Sequence, residues 1–449
     1  MFKSLLYAFK VKELRKKLLF VFLMLVVIRF GSNLPIPGVN AQYFSELFNS
    51  MSNNDAFGWF NTMTGGSFEQ LSIFALSITP YITSSIIIQL LTVAIPALEE
   101  MQKDGEEGRK KLTEYTRYVT IGLALIESLA MAIGFGGQGL LIGFAEASTG
   151  RKIADIAIAV IAMTAGSALL MWIGEQITDK GVGNGISLVL LFNILSSVPS
   201  DFQTLYIRFM SGKNVATMVV AAIIIVAAII GLVVFTIILN DAQRTIPVQY
   251  SRRVQGRGLV GGQSSNIPLK VNTASVMPVI FASSLMTMPV VVGQIIKVDY
   301  STIPGQILMA LNSGSWCNPD RPIYSIGLVI YILLLYFFAY FYTSISFNPL
   351  EIANNMKKQG GFIPGIRPGK PTSDYIKKIL SRITLLGALL LSVVALFPNL
   401  LTIFTALIKY PMRLSLGGTS LIIVVGVALE TVKQLESQMM MRHYKGFLD

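Results

Sequence analysis

Few side chains in this sequence are able to do chemistry on their own. One histidine, His443, and one cysteine, Cys317, occur in 449 residues. A lone cysteine closes no internal disulfide, and His443 lies past the last apolar run. A histidine-bearing metal site or a Ser-His triad within the apolar body is therefore excluded. Gly365 to Lys370 superficially resembles a phosphate-binding loop. The Walker spacing needs a glycine separated by four residues from the Gly369-Lys370 pair, but Pro364 stands there, with no predicted strand before it. No nucleotide, metal or other cofactor is expected, so energy for any work must come from a partner or from the membrane potential. One carboxylate, Glu127, falls inside an apolar run, where a charge is costly and marks a functional candidate. Asp155, near the outer end of another run, reads as interfacial.

The background explains this poverty of reactive groups. Hydrophobic residues make up 53% of the chain and charged residues only 13%, against about 25% charged in a soluble domain. Lipid must be the solvent for much of the chain. The net charge of +12 then matters through its location, because Lys and Arg gather on the cytoplasmic side of a membrane.

Residues 2–17 carry Lys3, Lys10, Lys12, Arg15, Lys16 and Lys17 among apolar residues and read as a basic amphipathic segment at the membrane surface. The apolar run from Leu18 to Ile28 is a first span, retained rather than cleaved, with Arg29 snorkelling at its outer end. Nine further runs of membrane length lie near 70–92, 118–138, 153–173, 184–200, 215–239, 273–293, 324–343, 381–398 and 417–433. Ten spans place both termini in the cytoplasm. With that topology about 27 of the 36 Lys and Arg fall inside and about 8 outside, Arg29 being left over. The bias supports the assignment.

Three cytoplasmic segments, near 99–117, 240–270 and 344–378, are long and basic. Each is expected to meet anionic lipid or to dock a partner. The Gly and Pro of Gly360 to Gly369 argue for a shaped tip rather than loose chain. Two spans share a pattern: Pro80-Tyr81-Ile82-Thr83-Ser84-Ser85 and Pro278-Val279-Ile280-Phe281-Ala282-Ser283-Ser284, with the serines one residue out of step. A mid-span proline frees a carbonyl and bends its helix, and small serines let helices approach. The pair is expected to correspond if residues 1–213 and 214–449 are two halves of five spans.

Several motifs run along the chain in order. They are Arg29-Phe30-Gly31 to Pro35-Ile36-Pro37-Gly38-Val39, Gly65-Gly66-Ser67-Phe68 before Ser72-Ile73-Phe74-Ala75-Leu76, and Pro80-Tyr81-Ile82 to Ile88-Gln89-Leu90-Leu91. Further on come Gly174-Glu175-Gln176-Ile177-Thr178-Asp179-Lys180-Gly181-Val182-Gly183-Asn184-Gly185-Ile186-Ser187, Pro268-Leu269-Lys270-Val271-Asn272, Pro364-Gly365-Ile366-Arg367-Pro368-Gly369 and Gly417-Gly418-Thr419-Ser420. Together they resemble the SecY family, the channel-forming subunit of the bacterial Sec translocase, over essentially the whole chain. The resemblance implies an all-α membrane protein with about ten transmembrane helices, in two inverted pseudo-symmetric halves around an hourglass pore.

By motif position, the resemblance implies a pore ring of Ile78, Ile82, Ile186, Leu190, Ile280 and Ile423. Residues 57–69 would form a plug, with Gly58, Gly65 and Gly66 as hinges and Trp59, Phe60, Met63 and Phe68 as apolar bulk. A lateral gate would lie between spans 2 and 7, with Thr83, Gln89, Thr120, Glu127 and Asn272 as polar groups and bonds across it worth about 1 kcal/mol each. Glu127 departs from the neutral amide common at this site in the family. Arg252, Arg253, Arg257, Lys357, Lys358 and Arg367 would face a ribosome or the SecA motor. Small companion subunits SecE and SecG, signal sequences, nascent polypeptides and membrane lipids complete the implied partners.

The function expected is a gated channel in the bacterial cytoplasmic membrane. It would pass unfolded secretory polypeptides across and release transmembrane segments sideways. A secondary solute transporter with inverted repeats is the alternative. It needs a midplane site with coupling carboxylates, for which Glu127 stands alone. An enzyme is not expected, since paired carboxylates, HExxH and nucleophile motifs are all missing from the sequence.

Overall fold

The computed structural model describes residues 10–51, 61–135, 141–142, 148–209, 215–250, 253–255, 258–260, 264–295, 298–299, 301–316, 322–407 and 418–445. Among them ten long helices dominate: α1 Lys12–Ser32, α3 Thr79–Ala94, α5 Glu106–Phe135, α6 Thr149–Lys180, α7 Gly185–Phe209, α8 Val215–Asp241, α9 Met277–Ile295, α11 Ile326–Ser346, α13 Lys370–Leu407 and α14 Gly418–Lys445. Four short ones, α2 Ala41–Met51, α4 Pro96–Lys103, α10 Ile303–Leu311 and α12 Pro349–Lys358, join them. Each of the ten apolar runs falls within or across one long helix.

Five described helical stretches are long and apolar enough to cross a membrane unaided, and the pair α3–α4, bent by 102°, makes a sixth if read as one span. The other long helices are interrupted by charge or proline, or are short. Across the long helices many side chains are apolar yet exposed. Leu19, Phe22 and Phe30 on α1, Ile223, Ile230 and Ile238 on α8, and Leu333 and Phe337 on α11 are examples. In water such a surface would aggregate; in lipid it is the expected exterior.

The second span differs from its expectation. Pro80 does not break a helix running over 70–92; it sits in the first turn of α3, which begins at Thr79. There its missing N–H costs nothing and its fixed φ suits helix entry. Residues 65–78 are turns, with left-handed backbone at Gly65, Gly66, Leu71 and Ser77. At 16 residues, α3 spans about 24 Å, short of a ~30 Å hydrocarbon core. Irregular backbone is tolerated at such depth only where protein covers it. That condition is met: Leu71, Ser72, Phe74, Ala75, Leu76 and Ile78 are all buried. Ile36 N donates to Leu71 O at 3.1 Å and Ile73 N to Leu34 O at 2.9 Å.

Two more expectations change. The basic residues Lys12 to Lys17 belong to α1 itself, so charge and span form one continuous helix; residues 1–9 lie outside the described set. The basic segments 240–270 and 344–378 are not separate loops. β1 Gln243–Tyr250 pairs antiparallel with β4 Ser264–Lys270 on one side and with β5 Gly361–Phe362 on the other. A smaller hairpin joins β2 Arg253–Gln255 to β3 Gly258–Val260. Ile246 and Val248 of β1, Leu269 of β4, Met356 of α12, Ile363, and Ile376, Ile379 and Ile383 of α13 form one apolar core. A strand therefore does precede the Gly365 loop, although Pro364 still breaks the nucleotide-binding spacing.

Candidate functional site: an apolar constriction and its neighbours

The six ring candidates come from four helices and meet in one apolar cluster. Ile78 caps the N-terminus of α3, and Ile82 lies one turn on, its N–H bonded to Ile78 O at 3.0 Å. Ile280 holds the matching place early in α9, bonded to Val276 O at 3.2 Å. Ile186 and Leu190 open α7, and Ile423 lies in the first turns of α14. Ile78, Ile82, Leu190, Ile280 and Ile423 are buried, with Ile186 packed against them. Branched side chains gathered this way exclude water and ions while remaining deformable.

Glycines let these elements close up. A Cβ on Gly185 would lie 1.9 Å from Gly174 O, and one on Gly174 would lie 2.6 Å from Ile186 Cδ1. At Gly174 the tip of Ile186 would have to shift, whereas the first is a clash with fixed backbone, so the corner between α6 and α7 needs glycine at 185. Thr178 Oγ1 completes it by accepting from Gly185 N at 2.9 Å.

Of the plug candidates, Gly58, Trp59 and Phe60 lie outside the described residues. Met63 is buried in the ring cluster. Phe68 belongs to a second cluster, edge-on to Phe44 at 5.7 Å and 80°. Gly65 and Gly66 take φ of +66° and +84°, which glycine reaches without strain. Arg29 does not simply snorkel: its Nη1 donates to Gly65 O at 3.0 Å. Asn193 of α7 donates through Nδ2 to Met63 O at 3.1 Å and to Ser77 Oγ at 3.0 Å. Neither residue was expected here. A lone arginine ending a span and an asparagine within one are the signals that could have found them.

The polar gate candidates do not bond as expected. Thr83 Oγ1 donates to Thr79 O at 3.1 Å and Gln89 Nε2 to Ser85 Oγ at 3.2 Å, both within α3. Thr120 Oγ1 and Ser84 Oγ lie 2.5 Å apart, joining α5 to α3. Asn272 Nδ2 donates to Asn240 Oδ1 at 2.7 Å and to Ser275 O at 2.9 Å. None of these bonds crosses between α3 and α9. Hydroxyls in helices satisfy themselves on the preceding turn, which leaves fewer groups to bridge neighbours. The contact from α3 to α9 is instead apolar, through the ring cluster.

Glu127 lies in α5 and lines a cleft with Leu76, Thr79, Met131, Ser284, Thr287 and Met288, drawn from the start of α3, from α5 and from α9. Its Oε1 is buried and has no hydrogen-bond partner.

The docking candidates fall in and around the strands and in the elements that follow them. Arg253 lies in β2, while Arg252 and Arg257 lie outside the described residues. Lys357 and Lys358 end α12, where cations suit the helix C-terminus, and both are exposed. Arg367 is exposed in the turn before α13, its carbonyl accepting from Thr372 Oγ1 at 2.8 Å.

Comparison with known proteins gives this geometry its context. A family model described as SecY matches residues 72–432. "Protein translocase subunit SecY" of Halalkalibacterium halodurans is 42% identical over 451 residues, covering 100% of both chains. That of Streptomyces galbus is 44% identical over 465 residues, covering 98% of each. Among solved structures, a protein-conducting channel matches with a TM-score of 0.60 at 19% identity, covering 94% of this chain and 92% of that one. Sec61 in a canine ribosome–channel complex matches at 0.56 and 18%, over 94% and 92%. At these identities the structural likeness is one of fold. The sequence matches go further: full-length relatives above 40% identity and a family model covering most of the span region place this chain in the SecY family.

Proposed function

We propose that this multi-pass protein is the channel-forming subunit of the protein translocase of a bacterial cytoplasmic membrane, with both termini cytoplasmic. It passes unfolded secretory polypeptides across the membrane and releases transmembrane segments into it. The observation that supports this reading is the apolar cluster in which the starts of α3, α7 and α9 meet α14, with Met63, Phe74 and Ile78 of segment 61–78 packed into it. The channel is a passive conduit rather than an enzyme. The transporter alternative has no support from the family to which the chain belongs.

In this reading Ile78, Ile82, Ile186, Leu190, Ile280 and Ile423 form a gasket around the passing chain. Residues 57–69 are the plug. The line between α3 and α9, flanked by α5 and α11, is the lateral gate, opened when an apolar signal helix replaces the apolar contacts there. The sheet region bearing Arg253, Lys357, Lys358 and Arg367 docks the ribosome or SecA. SecE and SecG are the small companions, and anionic lipid meets the basic cytoplasmic rim. The division into two halves of five spans is supported by the matched entries to α3 and α9.

The test is translocation itself. Proteoliposomes containing the chain with companions co-purified from its membrane are expected to protect a signal-bearing precursor from added protease when the motor and ATP are supplied. A precursor lacking its signal is expected to stay exposed. Equal protection of both, or of neither, sinks the reading.

A further inference from the structure

The segment that follows the undescribed stretch 52–60 is tied down by two side chains from different helices. Arg29, in the last turn of α1, donates from Nη1 to Gly65 O at 3.0 Å. Asn193, within α7, donates from Nδ2 to Met63 O at 3.1 Å and to Ser77 Oγ at 3.0 Å. An amide has two N–H protons, so both are used, and both go to segment 61–78 rather than to α7. Asn193 is 4% exposed and lies among apolar neighbours. A buried amide is costly unless its bonds are made, so its contacts with this segment are binding rather than incidental.

Ser196 belongs to the same corner but counts for less. Its Oγ lies 3.3 Å from Gly65 O and 2.7 Å from Asn193 O. A hydroxyl has one proton, and the shorter bond is to its own helix. Gly65 supplies the close approach. A Cβ there would stand 2.8 Å from Ser196 Oγ and 3.1 Å from Asn193 Cα, and its φ of +66° is one that glycine adopts without strain. Two successive features, a bare left-handed glycine and a carbonyl held by a guanidinium, fix where the backbone leaves the constriction. Asn193 adds a hold on Met63, the residue of this segment that enters the ring cluster.

We propose that Arg29 and Asn193 are a two-point latch that holds the plug in its closed position. This rests on the reading of residues 57–69 as a plug. Arg29 clamps the plug backbone at Gly65 from α1, and Asn193 clamps it at Met63 from α7. Asn193 also ties that clamp to Ser77, at the entry to α3. Movement of α3 at the gate therefore pulls on the same amide that holds the plug, so parting the gate and freeing the plug are linked through one side chain. The latch sets the resting leak of the channel, and hence how strong a signal sequence must be to open it.

The test uses the full-length chain with its co-purified companions in planar bilayers, on a Cys317→Ser background. It reads resting ion conductance, and it reads labelling of a Met63→Cys reporter by a membrane-impermeant maleimide added from the outer side. Asn193→Asp keeps the shape and removes the donors; Arg29→Ala removes the guanidinium. Together they are expected to raise conductance and labelling by about tenfold each, as loss of more than one buried hydrogen bond predicts. Each single variant is expected to give a smaller rise, and Arg29→Lys, which can still donate, to restore most of the closure. Unchanged conductance and labelling in the single and double variants overturn the latch. A chain deleted for residues 61–66 separates the two readings. If it leaks while the latch variants stay tight, only the latch falls. If it stays tight as well, the plug reading falls with it.

Discussion

Ser77 and Ser275 hold equivalent places before two different helices. Both have left-handed backbone, with φ of 51° and 54°, and each stands three residues before the proline that opens its helix, Pro80 or Pro278. Both carbonyls are held by a side chain: Ser167 Oγ donates to Ser77 O at 3.1 Å and Asn272 Nδ2 to Ser275 O at 2.9 Å. Aligned on these elbows, Ile82 and Ile280 fall in step, two residues after each proline. Only the paired serines beyond them are one residue out.

A left-handed residue with a Cβ stores about 1–2 kcal/mol, and a β-branched one stores more. Ser275→Val is therefore expected to destabilise the protein by about 2 kcal/mol, and Ser275→Gly to be tolerated. Thermal unfolding in detergent reads the difference. Equal melting temperatures for the two variants would show that the elbow is not strained.

Glu127 places an unpartnered carboxylate oxygen in a cleft among Leu76, Met131 and Met288. A buried polar atom left without a partner costs about 1–3 kcal/mol. Glu127→Met, of similar length, is expected to raise stability by about 1–2 kcal/mol. A fall in melting temperature would mean that the carboxylate is satisfied in the folded protein.

Glycine in place of Ile82, Ile186 and Ile280 together removes half of the apolar ring. Water then enters the constriction, and ions follow. The expected outcome is a raised resting conductance in reconstituted bilayers, with the protein still present in the membrane. Unchanged conductance rules these residues out as the seal.

Arg367 is exposed in the turn before α13, so reversing its charge should spare the fold. Arg367→Glu is expected to slow motor-driven export by about tenfold, the effect of losing roughly 1.4 kcal/mol of binding. Release of a secreted reporter from cells measures it. Export at the normal rate counts against docking at this turn.

Much of the architecture was legible because it is written locally. Nine of the ten apolar runs lie largely within long helices, and the run near 215–239 became α8 Val215–Asp241 almost unchanged. The run near 70–92 misled, because hydropathy does not distinguish a buried irregular segment from a helix. Residues 71–78 are as apolar as a span, yet they turn through Leu71 and Ser77. The strands had a readable sign that composition obscured. Ile246 and Val248 alternate with exposed Arg244, Thr245, Pro247 and Gln249, the period-two pattern of a half-buried strand. Pro247 disguised it. It is accommodated because β5 reaches only Gln249 and Tyr250, leaving β1 as an edge at Pro247.

The sequence by itself determined which stretches are apolar enough for lipid and where positive charge clusters between them. Both follow from the cost of placing polar or charged groups in hydrocarbon, a property of each stretch alone. The tertiary structure decided what the polar exceptions do. Asn193 and Met63 are 130 residues apart in the chain, and Gln249 and Phe362 pair across two different basic segments. A buried donor must find an acceptor somewhere, but only the packed helices decide which distant carbonyl comes within reach. That is why Asn193 reads as one more residue of a span in the sequence and as an anchor of segment 61–78 in the fold.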